Sequence, residues 1–438
     1  MTESEARQHG RRYGRRPSDS AGQRRIGVTA FLVMAAFFMV AAPVCRKNKP
    51  PFTPSPPEGP SYGDLNVQYT FQASTTDPEG DSIEYCFDWD DGTRDWTGFL
   101  SGGANGQAPH TWSSSGSYSV RVMAQDTHGD SSDWSVPRVV RVDAYPNRVI
   151  ATIQVGSRLA DIAALPDGEY VYVTSNDSAC VYAVRTSDNA VVDTIPVGRT
   201  PSGIAALPNG QYVYVACTVV GCVYVIRTSD NAVVATIPTD WGSRSVAASP
   251  DGGYVYVSNS YSGNVSVIRT SDNVVVATIP IDIVSAPDCV TVLPSGEQVL
   301  VSDDISYGVW IIRAADNKVV DWVGVGSLPA AMEALPDSRH VIVSSEYKRL
   351  SVIQVPEDTV VATITLDARP TGMAVLPGGD YVYAAHPDDD QVSILRMADK
   401  AVVATLPVGA TPCEVTAIPN GEHVYVVSWD GVVSVIGY

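Results

Sequence analysis

His386 is followed within four residues by Asp388, Asp389 and Asp390, and no other run in the last two-thirds of this 438-residue sequence has residue types that match metal ligands. Consecutive carboxylates on one short loop diverge more often than they converge, which counts against a calcium ion at Asp388 and Asp390. A second acidic group, Asp77, Asp81, Asp88, Asp90 and Asp91, could also offer oxygen ligands, with Asp77 and Asp81 as its calcium candidates. The alternative for that group is that Asp caps and turns strands, as it does in any β-turn. Calcium is the only cofactor these residues bring into question. The chain has six histidines, and no nucleophile motif, phosphate loop or pair of catalytic carboxylates can be singled out. Its seven cysteines fit no zinc spacing. Cys217 and Cys222 flank a four-residue loop and could bridge, or Cys180 could take Cys222 as its partner.

The elements that must position these residues are set by repetition. From Asn147 the sequence restarts at Asn189, Asn231, Asn273, Asn317, Thr359 and Lys400. Each unit of about forty residues carries a turn of the L-P-x-G kind, a Y-V-Y-V strand and a V-x-V-I-R-T-S-D run. Proline presets the second residue of a tight turn and glycine tolerates its exit, so these turns bound short strands of β-branched and aromatic residues and leave no room for a helix. A four-stranded antiparallel unit repeated seven times predicts a seven-bladed β-propeller over residues 147–438. The repeats resemble the YVTN family of propellers, named for the strand that reads Tyr172-Val173-Thr174-Ser175 here. The chain ends just after the third strand of the seventh unit. The segment Val149 to Ile153 is therefore expected to supply the outermost strand of the last blade and close the ring.

Register separates frame from function. His340 and His423 fall in the column of Tyr170, Tyr212, Tyr254 and Tyr381 and read as packing residues. Arg185, Arg227, Arg269, Arg313 and Arg396 each stand three residues before an Asp and read as turn-stabilising pairs. In a propeller the loop entering the inner strand and the loop joining the second and third strands open on one face, and those two loops hold most of the variation. They supply the binding candidates Asp177, Arg199, Trp241, Arg244, Tyr261, Asp303, Asp304, Tyr307, Tyr347, Arg349, His386 and Trp429. Arg158, Asp161, Asp288, Arg369 and Glu414 fall near the channel mouth in the same reading. Tyr, Trp and Arg amid acidic groups suit protein or saccharide recognition.

The N-terminal third has another character. Seven arginines lie within residues 1–25, followed by an uncharged stretch from Ile26 to Cys45 that resembles an export signal. It is also long enough to span a bilayer once, and Cys45 looks like a lipoprotein junction, so lipidation at Cys45, an uncleaved anchor and simple secretion all stand open. Residues 46–60 hold six prolines and predict an extended polyproline linker acting as a stalk. Residues 61–145 alternate in short strands and predict a small β-sandwich. Asp77 to Thr93 and His110 to Asp126 resemble the polycystic kidney disease (PKD) domain, which implies a spacer or a protein or carbohydrate contact module.

The fold class expected is thus all-β, a PKD/Ig-like sandwich followed by the propeller. Residues 50–438 carry 19 basic against 45 acidic side chains, which argues against nucleic acid as a partner and limits membrane association to the N-terminus. The functional expectation is an extracytoplasmic, envelope-anchored binding or scaffold protein with a protein or glycan partner. The alternative is a propeller enzyme of lyase, lactonase or dehydrogenase type, acting at the central channel.

Overall fold

A computed structural model describes residues 47–282, 285–355 and 357–438. The lipidation candidate Cys45 and the apolar stretch before it lie outside the described residues. Among the described residues there is no helix, and so none long and apolar enough to cross a membrane.

The sandwich consists of β1 (Tyr62–Asp64), β2 (Gln68–Ala73), β3 (Ile83–Asp88), β4 (Arg94–Trp96), β5 (Gly106–Thr111), β6 (Gly116–Asp126) and β7 (Arg138–Asp143). One sheet runs β1-β7-β6-β3-β4 and the other pairs β2 with β5. Alternation along the strands puts Phe71, Tyr85, Phe87, Trp89, Val120 and Val122 in the core with Trp112, because residues two apart share a face. The proline-rich segment is not a free stalk. Phe52 N–H donates to Thr76 O at 3.0 Å, and Glu58 exchanges two backbone hydrogen bonds with Gln72. Pro51, Pro54 and Pro57 are buried while the residues between them stay exposed. Every third residue faces the sandwich, as the three-residue turn of polyproline II requires. The extended conformation is as the composition predicts, but the segment lies along the domain instead of lifting it.

After Tyr145 and Pro146 comes β8 (Arg148–Gln154), and the remaining strands form seven four-stranded antiparallel sheets among the described residues. The first sheet runs from its inner strand outward as β9 (Leu159–Ala164), β10 (Tyr170–Ser175), β11 (Cys180–Arg185) and β12 (Ala190–Pro196), and sheets two to six repeat that order. In the seventh sheet the fourth strand is β8, paired antiparallel with Val432–Gly437. The inner strands of successive sheets touch one another, and that of the seventh touches that of the first. The neighbours thus close into a ring, with the edge that an open array would expose already paired.

Turn chemistry repeats with the strands. The glycines of the L-P-x-G turns sit at positive φ (Gly168 at 71°, Gly210 at 71°), and in the fifth sheet Ser338 takes the same conformation at 57°. Between third and fourth strands Asn189, Asn231, Asn273 and Asn317 also have positive φ, the residue type that best tolerates it after glycine. Those asparagines latch neighbouring sheets: Tyr172 Oη donates to Asn231 Oδ1 at 2.7 Å, Tyr214 to Asn273 at 2.7 Å, and Tyr425 of the last sheet to Asn189 at 2.9 Å. The arginine column forms the expected turn pairs, Arg185 with Asp188 at 2.6 Å and Arg227 with Asp230 at 2.7 Å. His340 is half-buried, and its Nδ1 lies 2.6 Å from Asp337 Oδ2, so it serves its turn as a hydrogen-bonding residue as well as a packing one.

Candidate binding face

At one end of the ring a cavity of about 600 Å³ opens, lined by the inner strands and by both sets of variable loops. The inner strands contribute Asp161, Asp288, Cys289, Cys413 and Glu414, and the loops contribute Asn176, Asp304, Glu346, Arg369, Asp388 and Trp429. Two arginines organise the acidic rim. Arg244 pairs with Asp288, and Arg369 reaches Asp388 at 3.1 Å and Glu346 at 3.7 Å. Burial pushes the Asp288 carboxyl up to about 7, against the pull of Arg244. Asp304 is raised for the same reason, with Arg244 again opposing.

Below this rim are three carboxylates that no arginine or lysine reaches through an ion pair among the described residues. Asp161 accepts from Ile162 N–H at 2.7 Å and from Ile204 N–H at 2.8 Å, tying the first inner strand to the second. Glu414 Oε1 accepts from Val415 N–H at 3.1 Å. Burial raises Asp161, and it raises Glu414 well above the usual carboxylate range with help from the charges of Asp161 and Glu333. Glu333 is pushed up to about 8 by burial and by Asp161. Burial in a poorly solvated space disfavours the charged form, which is the physical cause common to all three, and for Glu333 and Glu414 neighbouring like charges add to it. Sequence alone places Asp161 and Glu414 near the channel mouth, singles out no pair of catalytic carboxylates and does not name Glu333. The signal missed was in the register: Glu333 stands in a column otherwise held by Ala163, Ala205, Ala247, Thr291, Ala374 and Thr416.

The rim aromatics are where the loops were expected to put them. Trp241 is 68% exposed and Tyr261 73%, their rings edge to face with centroids 6.4 Å apart. Tyr307, Tyr347 and Trp429 are each more than half exposed, and the Arg158 guanidinium lies over the Trp429 ring at 6.0 Å. Asp177, Arg199 and Arg349 are also exposed.

Two binding candidates prove to be internal. Asp303 is fully buried; its Oδ1 accepts from Ala286 N–H at 2.9 Å and Ile305 N–H at 3.0 Å, and its Oδ2 from Trp310 Nε1 at 3.1 Å. Burial works against its charge, yet these donors hold the carboxyl below its ordinary value. His386 is 1% exposed, with Nδ1 3.1 Å from Arg369 O and Nε2 2.8 Å from Ser393 Oγ. Burial lowers the His386 pKa and favours the neutral ring. Both close the second strand of their sheet, in the column of Ser175, Cys217, Asn259, Ser345 and Ser428, all buried. Ser175 Oγ donates to Ser157 O at 2.6 Å and Asn259 Nδ2 to Asn264 Oδ1 at 2.8 Å. In six of the seven sheets the residue of this column hydrogen-bonds its own mouth loop or a neighbouring strand and acts as a peg, whereas the buried Ser428 hydroxyl of the seventh makes no such bond.

The metal and disulfide candidates do not converge either. Asp388 turns to Arg369, whereas Asp390 Oδ1 accepts from Thr411 N–H at 2.7 Å. Asp77 Oδ1 accepts from Glu79 and Asp81 N–H, and Asp81 pairs with His128 at 3.2 Å. Asp88 holds Arg94 and Arg121, and Asp90 accepts from Ser119 N–H at 2.9 Å, so in the sandwich the strand-turning role is the one the geometry realises. Among the described residues no three His, Cys, Asp or Glu side chains are grouped to hold a metal ion. Cys217 and Cys222 stand directly opposite one another across the hairpin, but both are free thiols, as is Cys180. Cys289 and Cys413, which line the cavity, have their thiols raised by burial and by nearby carboxylates, so neither is an activated nucleophile.

Comparison with known proteins agrees with this architecture. Residues 53–139 match the PKD domain family, and residues 148–335 match the YNCE-like beta-propeller family. No curated protein sequence matches the chain. Among solved structures, Kuenenia stuttgartiensis Hydrazine Synthase is similar with a TM-score of 0.60 at 21% identity, over 66% of this chain and 97% of that one. At that identity the likeness concerns the fold.

Proposed function

The chain carries a PKD domain followed by a YNCE-like β-propeller, and from that premise we propose that it is an extracytoplasmic binding scaffold whose variable propeller face captures a protein or glycan of the cell envelope. In this reading the seven sheets are the blades of a single closed seven-bladed propeller. The observation that carries the binding role is the set of exposed aromatics on the mouth loops, Trp241, Tyr261, Tyr307, Tyr347 and Trp429, of which Trp429 also lines the cavity of about 600 Å³. Large rigid rings left in water cost little entropy to immobilise and gain much area on contact. Arg244, Arg369 and the carboxylates beside them add hydrogen-bonding groups whose partners can be exchanged. The arginine-rich start, the apolar stretch and Cys45 support export and anchoring through the N-terminus, by lipid or by an uncleaved helix.

The test is capture from envelope extracts and a glycan panel by the protein and by a Tyr307→Ala, Tyr347→Ala, Trp429→Ala variant. Loss of capture with an unchanged melting temperature supports the reading, and undiminished capture removes it. A second reading, an enzyme acting in the channel, is favoured by Glu333, whose carboxyl near 8 suits proton transfer at neutral pH. It requires turnover of some bound compound that Glu333→Gln abolishes while binding persists.

A further inference from the structure

The far end of the propeller, about 20 Å from the mouth by the length of a six-residue strand, presents the same tile on several sheets: a tyrosine at the start of the second strand and an Arg–Asp pair after the third. In sheets one, two and three the arginines of this tile, Arg185, Arg227 and Arg269, keep 42%, 44% and 45% of their side-chain surface open. In sheet six the equivalent Arg396 keeps 11%, and Tyr381 is 2% exposed where Tyr254 is 39%. The sandwich makes the difference. Tyr145 stacks on Tyr381 with centroids 4.4 Å apart, Asp64 meets Arg396 at 3.4 Å, the Arg396 guanidinium lies 5.4 Å over the Tyr62 ring, and Arg141 reaches Asp380 at 2.9 Å. Where Tyr172 and Tyr214 latch onto an asparagine of the following sheet, Tyr383 donates instead to Pro146 O, on the link between the two domains. One residue further on, Asn147 N–H donates to Gly437 O at 3.0 Å, and β8 then closes the seventh sheet.

From this contrast between equivalent tiles we infer that the PKD domain is a clasp and not a spacer: it locks onto the sixth sheet's far face through Tyr62, Asp64 and Tyr145, holds the closing strand in place, and leaves the mouth at the opposite end uncovered. The physical reason is that an Arg–Asp pair exposed to water contributes little, whereas the same pair covered by aromatic rings and a second carboxylate is screened less and desolvated with its partners in place. The domain therefore travels with the propeller as one body, and, on the binding role proposed above, a partner bound at the mouth is held at a fixed orientation relative to the sandwich.

Hydrogen exchange on the full chain tests this. Backbone amides of residues 62–65, 141–147 and 381–386 should exchange slowly in the wild-type protein. In Arg396→Ala they should speed up by about tenfold or more through opening of the contact. Arg227→Ala, the same change on a bare tile, should leave all three segments untouched. Because Arg396→Ala also removes a turn pair, Asp64→Asn serves as the variant on the sandwich side and should accelerate the same segments. If the wild-type segments already exchange as fast as free loops, or if Arg396→Ala and Asp64→Asn alter them no more than Arg227→Ala does, the clasp does not exist.

Discussion

The two ends of the propeller are built from the same strands and stabilised in opposite ways. At the far end the turns are nearly identical from sheet to sheet. Each L-P-x-G-like turn has a proline and a positive-φ residue, and in sheets one to four and six an Arg–Asp pair closes the turn after the third strand. At the mouth no two loops agree, and all but the seventh are held by a buried side chain at the end of the second strand, a carboxylate in the fourth sheet and an imidazole in the sixth. A uniform turn can be mutated in one sheet without changing the others, and it carries no specificity. A pinned loop can vary at its tip while its base stays rigid, which is what a recognition surface requires. The difference teaches that departure from a repeat has two causes, one facing solvent and one facing the loop's own interior.

The comparison can be broken or sharpened by mutation, beginning with the ring that both ends share. Deleting residues 147–155 removes the fourth strand of the seventh sheet and the buried Ile153 side chain, and should destabilise by on the order of 5 kcal/mol or more in chemical denaturation. An unchanged midpoint would mean that closure contributes nothing. Next in size is the peg. Asp303→Ala leaves three donors without their fully buried acceptor and should cost about 3 kcal/mol, while Trp241→Ala on the rim should stay within about 0.5 kcal/mol. Equal effects would erase the distinction between pegs and rim.

The channel carboxylates give a pH signature. Glu333 is raised from 4.5 to about 8, so its proton is bound more tightly in the folded chain. A raised carboxyl contributes stability that is fully present below its unfolded value and is lost as pH rises through the folded one. The wild-type melting temperature should therefore fall between about pH 5 and 9, and more steeply than that of Glu333→Gln, by up to a few kcal/mol of stability after allowance for water in the channel. Parallel curves for the two proteins would show that the channel does not strain this group. The smallest effect belongs to the far end. Ser338→Gly in the one L-P-x-G-like turn that lacks glycine should gain about 0.5 kcal/mol by relieving its positive φ.

Much of this was legible in the sequence because repetition averages out local ambiguity. Seven copies of one turn and one strand identify the sheet period where a single copy would not, and the phase of the last unit implies that β8 must travel to the end of the chain. The exposed aromatics followed from the same alignment, since a large ring in a loop of variable length has no neighbour to cover it. Asp303 and His386 did not, because the last residue of a strand and the first of a loop are adjacent in sequence while one points inward and the other outward. The proline segment was readable as extended but not as seated, because its period of three says nothing about which surface it meets.

The sequence by itself thus determined the all-β frame, the sevenfold period, the closing strand and the exposed rim, all of which depend on local turn chemistry and alternation. Only the tertiary structure decided which varied residues are pegs, that Asp161, Glu333 and Glu414 influence one another across a channel, and that one tile of several equivalent ones is covered by the sandwich. The last two outcomes depend on residues more than eighty positions apart and the first on which way a strand-end side chain turns, and no local pattern encodes either.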